Sequence, residues 1–348
     1  MTNRILSLAW VAFLISIPFW MEDLYYLHVL IVTGIFIIAA MSLNLLLGYT
    51  GQLSLGHVAF FGIGAYVSSL VSLGFEIHVL PNTTVSLDPK PVWFAMLVAV
   101  IFSGLCGWFI GRVSFKVRGA YFVIVTVSFA EVVRLVSLNW MELTQGPMAL
   151  NNIPYLTLGI PEVFEVEFIG KVPCYYLVLA VAVFTYVVIR RLVQSRAGRA
   201  MIALRENEPL ASSVGVDVTR VLVLATIVSA GLAGLAGALY AHYVRIVDPD
   251  VFLFIYTVTM VIMVITGGKG TLAGPIVGGL VFGIFPEVLR GFQVQPEIQW
   301  ITYGVLMILI VYFLPAGIVP AIRSLLPRRL VEGGDGSVEP NATAEARS

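Results

Sequence analysis

Charge is scarce in this sequence. Lys, Arg, Asp and Glu together make up 11% of 348 residues, where a soluble domain carries about 25%. A soluble fold of this length would lack the polar surface to cover its core, so that class is excluded. Neither sign dominates, because 20 basic residues balance 20 acidic ones, and no electrostatic footprint for nucleic acid is left. Cysteine is nearly absent as well. Cys106 and Cys174 lie in or beside apolar runs, giving neither a disulfide framework nor metal-ligand spacing. The four histidines are scattered, none paired with Cys or Asp at ligand spacing, so no metal site is expected. A phosphate loop is also missing. "GGKGT" at 267–271 comes nearest and fails, because the pattern needs Gly where Met263 stands and Ser or Thr where Gly270 stands. No Ser/His/Asp order and no carboxylate pair on a rigid site is visible, so no catalytic residue is expected.

What the chain has in abundance is apolar sequence: 59% of its residues are hydrophobic and its mean hydropathy is +0.96. A spanning helix needs about 20 mostly apolar residues. Ten runs qualify as candidates, at 5–20, 25–47, 58–73, 92–110, 120–137, 174–189, 221–240, 252–265, 276–288 and 300–314. No small-residue cleavage site follows the first, which reads as a retained span rather than a signal peptide. The fold class expected is an all-α polytopic membrane protein of about ten transmembrane helices, some broken at glycine. Residues 1–330 read as one transmembrane domain, and 331–348, rich in Gly, Glu, Ala and Ser, as a disordered tail. Lys and Arg placement sets the orientation. With the N-terminus inside, inner loops hold fourteen basic residues and outer loops four, namely Lys90, Lys171, Arg245 and Arg290. Both termini are therefore expected in the cytoplasm.

Two excursions leave the apolar pattern. One is outside, about 138–173. The other is inside, 190–220, where Leu204, Leu210, Ala211 and Val214 among charges suggest a short amphipathic helix. A faint repeat also shows: Gly48-x-x-Gly51-x-Leu53 recurs as Gly267-x-x-Gly270-x-Leu272, each between an inward and an outward span. Such a pair implies a parallel repeat about an axis along the membrane normal.

The segment "LNLLLGYTGQLSLGHVAFFGIGAY" at 43–66 interrupts two apolar runs with Gly48, Gly51, Gln52, Ser54, Gly56 and His57. Irregular backbone at membrane depth is tolerated only where it is buried in protein or lines a wet cavity. Asn44, Gln52, Ser54 and His57 supply hydrogen-bonding groups there. Two readings stand: a broken helix along a translocation path, or a plain inner loop with a tight turn. Glu131 and Arg134 sit inside "YFVIVTVSFAEVVRLVSL", one face apart by i,i+3 spacing. Each costs about 2.5–3.5 kcal/mol unpaired at the bilayer centre by insertion scales. They are expected to pair, either beside a cavity or as a structural ion pair near the outer interface. Ser229, Ala233, Gly237 and Ala241, flanked by Ala230, Gly234 and Ala238, form small-residue stripes suited to close helix packing or to a subunit interface.

Three stretches together resemble the membrane subunit of bacterial branched-chain amino acid ABC importers, of the LivM type: "SLNLLLGYTGQLSLGHVAFFGIGAYV", "GAYFVIVTVSFAEVVRLV" and "SRAGRAMIALRENEPLASSVGVDVTR…SAGLAGLAGALYA". The likeness runs from about Leu43 to Leu314. It implies a permease in the bacterial inner membrane that pairs with a homologous second permease, two cytoplasmic ATPase subunits and a periplasmic substrate-binding protein. ATP and magnesium would be bound by those partners, with no cofactor in this chain. The resemblance favours the translocation-path reading for Asn44, Gly48, Gly51, Gln52, Ser54, Gly56 and His57, with Glu131 and Arg134 as further candidates. It makes the 190–220 loop the segment that docks on the ATPase, with Arg205, Glu206, Asn207, Glu208, Ala211 and Gly215 as its candidates. The outer "TQGPMAL" at 144–150 resembles a family segment that has a second glycine where Ala149 stands. Three rivals remain: the same machine carrying urea or short amides, a lone ion-coupled carrier using Glu131 as a protonatable group, and a channel.

Overall fold

The computed structural model describes residues 16–18, 23–80, 83–115, 120–160, 164–291 and 295–325. The chain is built from helices: α1 (Leu24–Asn44), α2 (Val58–Leu73), α3 (Val92–Ser114), α4 (Ala120–Asn139), α5 (Lys171–Gln194), α6 (Arg196–Glu206), α7 (Glu208–Ser213), α8 (Val218–Val244), α9 (Phe254–Gly267), α10 (Gly274–Gly291), α11 (Pro296–Phe313) and α12 (Ile318–Leu325). Every apolar run expected from residue 25 onward is helical. The run at 5–20, save residues 16–18, and the tail at 331–348 lie outside the described residues. Among the described residues, five helices are long and apolar enough to cross a membrane: Leu24–Thr50, Val92–Ser114, Tyr121–Asn139, Lys171–Gln194 and Val218–Val244. Val58–Leu73, Phe254–Gly267 and Gly274–Phe285 are apolar but shorter.

The all-α expectation needs one amendment. Two small antiparallel hairpins fill the connections α2–α3 and α4–α5: β1 (Phe75–Leu80) with β2 (Thr83–Leu87), and β3 (Thr157–Ile160) with β4 (Phe164–Glu167). Phe75 pairs with Leu87 and Thr157 with Glu167. These loops hold short Thr-, Val- and Ile-bearing stretches, which suit a pleated ladder but are too brief to register against the long helical runs.

Small residues place the core helices. α8 runs between α2 and α3, and its stripes do the packing. A Cβ at Gly234 would collide with Ser103, one at Gly237 with the Phe61 carbonyl, and one at Gly64 with the backbone of Gly234. The stripes of α8 are thus intramolecular architecture. α3 turns Ala95, Ala99, Ser103 and Gly107 inward and Trp93, Leu97, Ile101, Leu105 and Trp108 outward. An outward face of that kind, with bulky side chains and an indole towards each end, suits lipid.

At one end of the bundle, the 138–173 excursion is pinned onto the end of α8. Leu150 and Val247 exchange backbone hydrogen bonds of 2.8 and 3.0 Å. Arg245 Nε donates to the Ile153 carbonyl at 2.9 Å, and its guanidinium lies 4.0 Å from the Tyr155 ring centroid. His242 Nδ1 donates to the Pro154 carbonyl at 2.9 Å and its Nε2 meets Ser68 Oγ at 2.8 Å. Because the carbonyl can only accept, the Nε2 atom is the acceptor of the Ser68 hydroxyl. Ala149 here has φ 62° and ψ 153°, a conformation nearly reserved for glycine. That matches the glycine the resembling family segment has at this place.

Candidate functional site: the crossing of two broken helices

At the opposite end from the hairpins, α1 does not stop at Asn44. Its hydrogen bonding widens into a π-helical turn over Leu45–Thr50, and the chain then turns at Gly51 with φ 74°. Widened turns of this type recur at functional sites in helices. Residues 51–57 are non-helical, and α2 begins at Val58. The second copy of the Gly-x-x-Gly-x-Leu pattern does the same between α9 and α10, with Gly268 at φ 120° and Gly270 at φ 75°.

The two breaks touch. A Cβ on Gly48 would collide with the Gly270 backbone nitrogen and with Asn44 Oδ1. Asn44 holds the contact through both ends of its amide: Nδ2 donates to the Thr271 carbonyl at 2.9 Å, and Oδ1 accepts from the Gly270 N–H at 2.9 Å. The two copies of the repeat therefore meet at one crossing. Side-chain oxygens satisfy backbone groups that the breaks release. Thr257 Oγ1 accepts from the Val58 N–H at 3.1 Å, anchoring the start of α2 to α9.

Most of the residues expected on the path are buried here. Asn44, Gly48, Ser54, Gly56 and His57 are buried, Gln52 is half-buried and Gly51 is exposed. Gly56 packs so closely on the Thr126 carbonyl of α4 that a Cβ would collide with it. Ser42 Oγ donates to the Ala39 carbonyl at 2.7 Å and contacts His57 Nε2 at 2.8 Å. With its proton committed, Ser42 accepts from Nε2–H, which leaves His57 Nδ1 a buried acceptor without a hydrogen-bond partner among the described residues. The Ser229 hydroxyl of α8 donates to the Ser42 carbonyl. Ser42 and Thr257 give no sequence signal, because each is a small polar residue in an apolar helix, and Ser229 stands out only as a member of the α8 packing stripe.

Glu131 and Arg134 pair as their spacing suggests. Arg134 Nε donates to both carboxylate oxygens at 3.1 Å, and Nη2 to Oε1 at 2.9 Å. Their side chains are 52% and 24% exposed respectively. The pair thus stands on the outward face of α4, among Ile124, Val132 and Leu135, away from the crossing of the breaks.

The 190–220 segment forms two helices rather than one. Ser195 caps α6, accepting from the Gly198 N–H at 3.3 Å, and Asn207 caps α7, accepting from the Leu210 N–H at 3.0 Å. Gly215, at φ 90°, ends α7. The Gly215 N–H donates to Ser212 at 3.0 Å and the Val216 N–H to Ala211 at 3.1 Å, the paired bonds of a glycine-ended helix. Leu204 and Ala211 are buried against Phe115, Phe122 and Leu222. Leu210 on α7 and Val214, the residue that caps its C-terminal end, are 63% and 74% exposed. Glu206, also exposed, accepts from Arg205. Glu208 opens α7 in the first turn, where the helix dipole favours an acid. Arg205 itself turns back into the chain and donates from Nη1 to the Gly48 carbonyl at 2.8 Å. No group of three or more His, Cys, Asp or Glu side chains that could hold a metal occurs among the described residues.

Comparison with known proteins agrees with this architecture. Residues 25–311 match the family described as branched-chain amino acid transport system / permease component. The chain is 32% identical over 317 residues to the high-affinity branched-chain amino acid transport system permease protein LivM of Salmonella typhimurium, covering 84% of this chain and 70% of that protein. The LivM protein of Escherichia coli K12 matches at the same identity and coverage. The high-affinity branched-chain amino acid transport system permease protein LivH of Salmonella typhimurium is 26% identical over 286 residues, covering 80% of this chain and 89% of that protein. No solved structure matches. With the family description spanning the helices from α1 to α11, and both broken segments inside it, the chain belongs to the branched-chain amino acid transport permease family and is a transport component rather than an enzyme.

Proposed function

We propose that this chain is one of two homologous permease subunits of an ATP-driven importer for branched-chain amino acids in the bacterial inner membrane. It crosses the bilayer about ten times with both termini in the cytoplasm. Two cytoplasmic ATPase subunits supply the energy, and a periplasmic binding protein delivers the cargo. The relatives matched carry branched-chain amino acid names, which favours that cargo over urea or short amides.

One observation carries the coupling: α7 is a firmly capped helix outside the apolar spans that holds Leu210 and Val214 out to solvent. A carrier working alone has no use for such a surface. Burying a Leu or Val fully is worth about 1.5–3 kcal/mol. Scaled to the area these two still expose, a partner gains roughly 1–2 kcal/mol from each. The alternating-access path then runs past the broken helices, with the Glu131–Arg134 face of α4 turned to the second permease rather than to lipid.

The test is reconstitution with the ATPase subunits and the binding protein in proteoliposomes. Leu210→Asp should lower transport and the hydrolysis stimulated by loaded binding protein together, through loss of assembly. Hydrolysis by the ATPase subunits alone should not change. Full stimulated hydrolysis and full transport in Leu210→Asp and Val214→Asp would overturn the docking assignment.

A further inference from the structure

Three separate stretches of chain close around one side chain, Arg205 at the end of α6. Its Nη1 holds the carbonyl of Gly48, 157 positions away in sequence, at 2.8 Å. A Cβ at Gly51 would lie 3.2 Å from Arg205 Cγ, and one at Gly270 would lie 2.6 Å from Nη1. Both glycines have positive φ, 74° and 75°. The first break is therefore shaped around the arginine stem and the second around its guanidinium. The opposite edge of the fork is held by its neighbour: Nε and Nη2 donate to Glu206 Oε1 at 3.0 and 2.6 Å. Asn44 clasps the two breaks to each other from within. Among the described residues no main-chain hydrogen bond joins α6 to this crossing, and Arg205 supplies a side-chain one. Two residues further on, Asn207 caps the start of α7.

We infer that Arg205 is the positioning residue through which a displacement of α6 and α7 reaches the two broken helices. A planar guanidinium can hold the Gly48 carbonyl with one edge and Glu206 with another. An ammonium, a point charge without a second fixed edge, cannot do both in this geometry. The inference rests on the reading that α7 contacts the ATPase. It adds that the force enters the membrane part at the Gly48 carbonyl. It also turns the Nη1 edge of Arg205 from the docking surface towards the crossing, while about a third of the side chain stays exposed.

The experiment measures amino acid transported per ATP hydrolysed in the reconstituted complex. Arg205→Gln keeps a polar side chain but is too short to reach the carbonyl. It should keep stimulated hydrolysis within twofold of the unaltered complex while transport per ATP falls at least fivefold. Arg199→Gln, on the same helix and with the same loss of charge, should leave the ratio unchanged. A smaller fall in Arg205→Gln, or a parallel fall of both activities at constant ratio, means that Arg205 is only structural and overturns the inference. A covalent substitute gives the second arm. A Cβ at Gly51 would stand 3.8 Å from that of Arg205, inside the disulfide range of about 3.5–4.5 Å. In a chain with Cys106 and Cys174 replaced by Ser, Gly51→Cys with Arg205→Cys should be uncoupled when reduced. It should regain at least half of the transport ratio when oxidised and lose it again with dithiothreitol. A ratio indifferent to oxidation also overturns the inference. Absence of stimulated transport in the unaltered complex would instead refute the importer reading itself.

Discussion

Removing the partners of the Glu131–Arg134 pair one at a time tests whether the exposed face of α4 lies in the membrane. Glu131 is eight residues from Asn139, where α4 ends, which at 1.5 Å per residue is about 12 Å. Half of the hydrocarbon core is about 15 Å, so a spanning α4 holds the pair near the bilayer centre. An unpaired charge there costs about 2.5–3.5 kcal/mol by insertion scales. Arg134→Gln strips Glu131 of the guanidinium that donates to both of its carboxylate oxygens. It should therefore cost about that much, a roughly 60- to 300-fold shift of the unfolding equilibrium. Glu131→Gln should cost less, because Arg134 is only five residues from the end of α4 and a long cationic side chain can reach the interface from there. The double variant replaces two charges by two amides and should return to within about 1 kcal/mol of the parent. The assay is a double-mutant cycle on unfolding midpoints in lipid nanodiscs. In water the same exposed pair would contribute only about 0.2–1 kcal/mol. Single variants that each cost less than about 1 kcal/mol, with an additive double, would refute the membrane placement of this face.

Gly56→Leu should abolish transport while leaving the membrane level of the chain measurable by immunoblot, because any side chain at this position meets the Thr126 carbonyl; normal uptake would return residues 51–57 to a plain loop. Ala149→Gly should stabilise the chain by about 1–2 kcal/mol, read as a higher unfolding midpoint, because Ala149 holds φ 62° and ψ 153° at a cost of that order. Ser212 is exposed on α7 and makes no side-chain hydrogen bond in the structure. A cysteine placed there should resist an impermeant thiol reagent in intact cells and react after permeabilisation, and labelling in intact cells would reverse the orientation.

Local chemistry made much of the molecule legible from its sequence. Apolar runs located α1 to α5 and α8 to α11, since length and hydropathy are properties of single segments. Gly51 and Gly270 marked the breaks because a left-handed turn selects glycine wherever it occurs. Glu131 and Arg134 paired as predicted, because i,i+3 spacing brings two side chains together on any helix. Gly215 ended α7 for the same kind of reason. The hairpins escaped notice because β1 to β4 are four to six residues each and carry no periodicity strong enough to compete with the helices.

Tertiary packing decided the rest. Whether Arg205 faces a partner or its own chain depends on Gly48, which folding brings to it across 157 positions. Whether the small residues of α8 meet another subunit or α2 and α3 depends on how the spans are arranged, and a stripe of Ala and Gly reads alike in both cases. The faint repeat showed that two segments share a pattern. Only the folded chain put them in contact, through the two ends of the Asn44 amide. Sequence thus determined which segments are apolar helices and where they break, because those choices are made by a residue and its near neighbours. The structure decided which breaks meet and what holds them, because a hydrogen bond between distant residues exists only once the chain has brought donor and acceptor within about 3 Å.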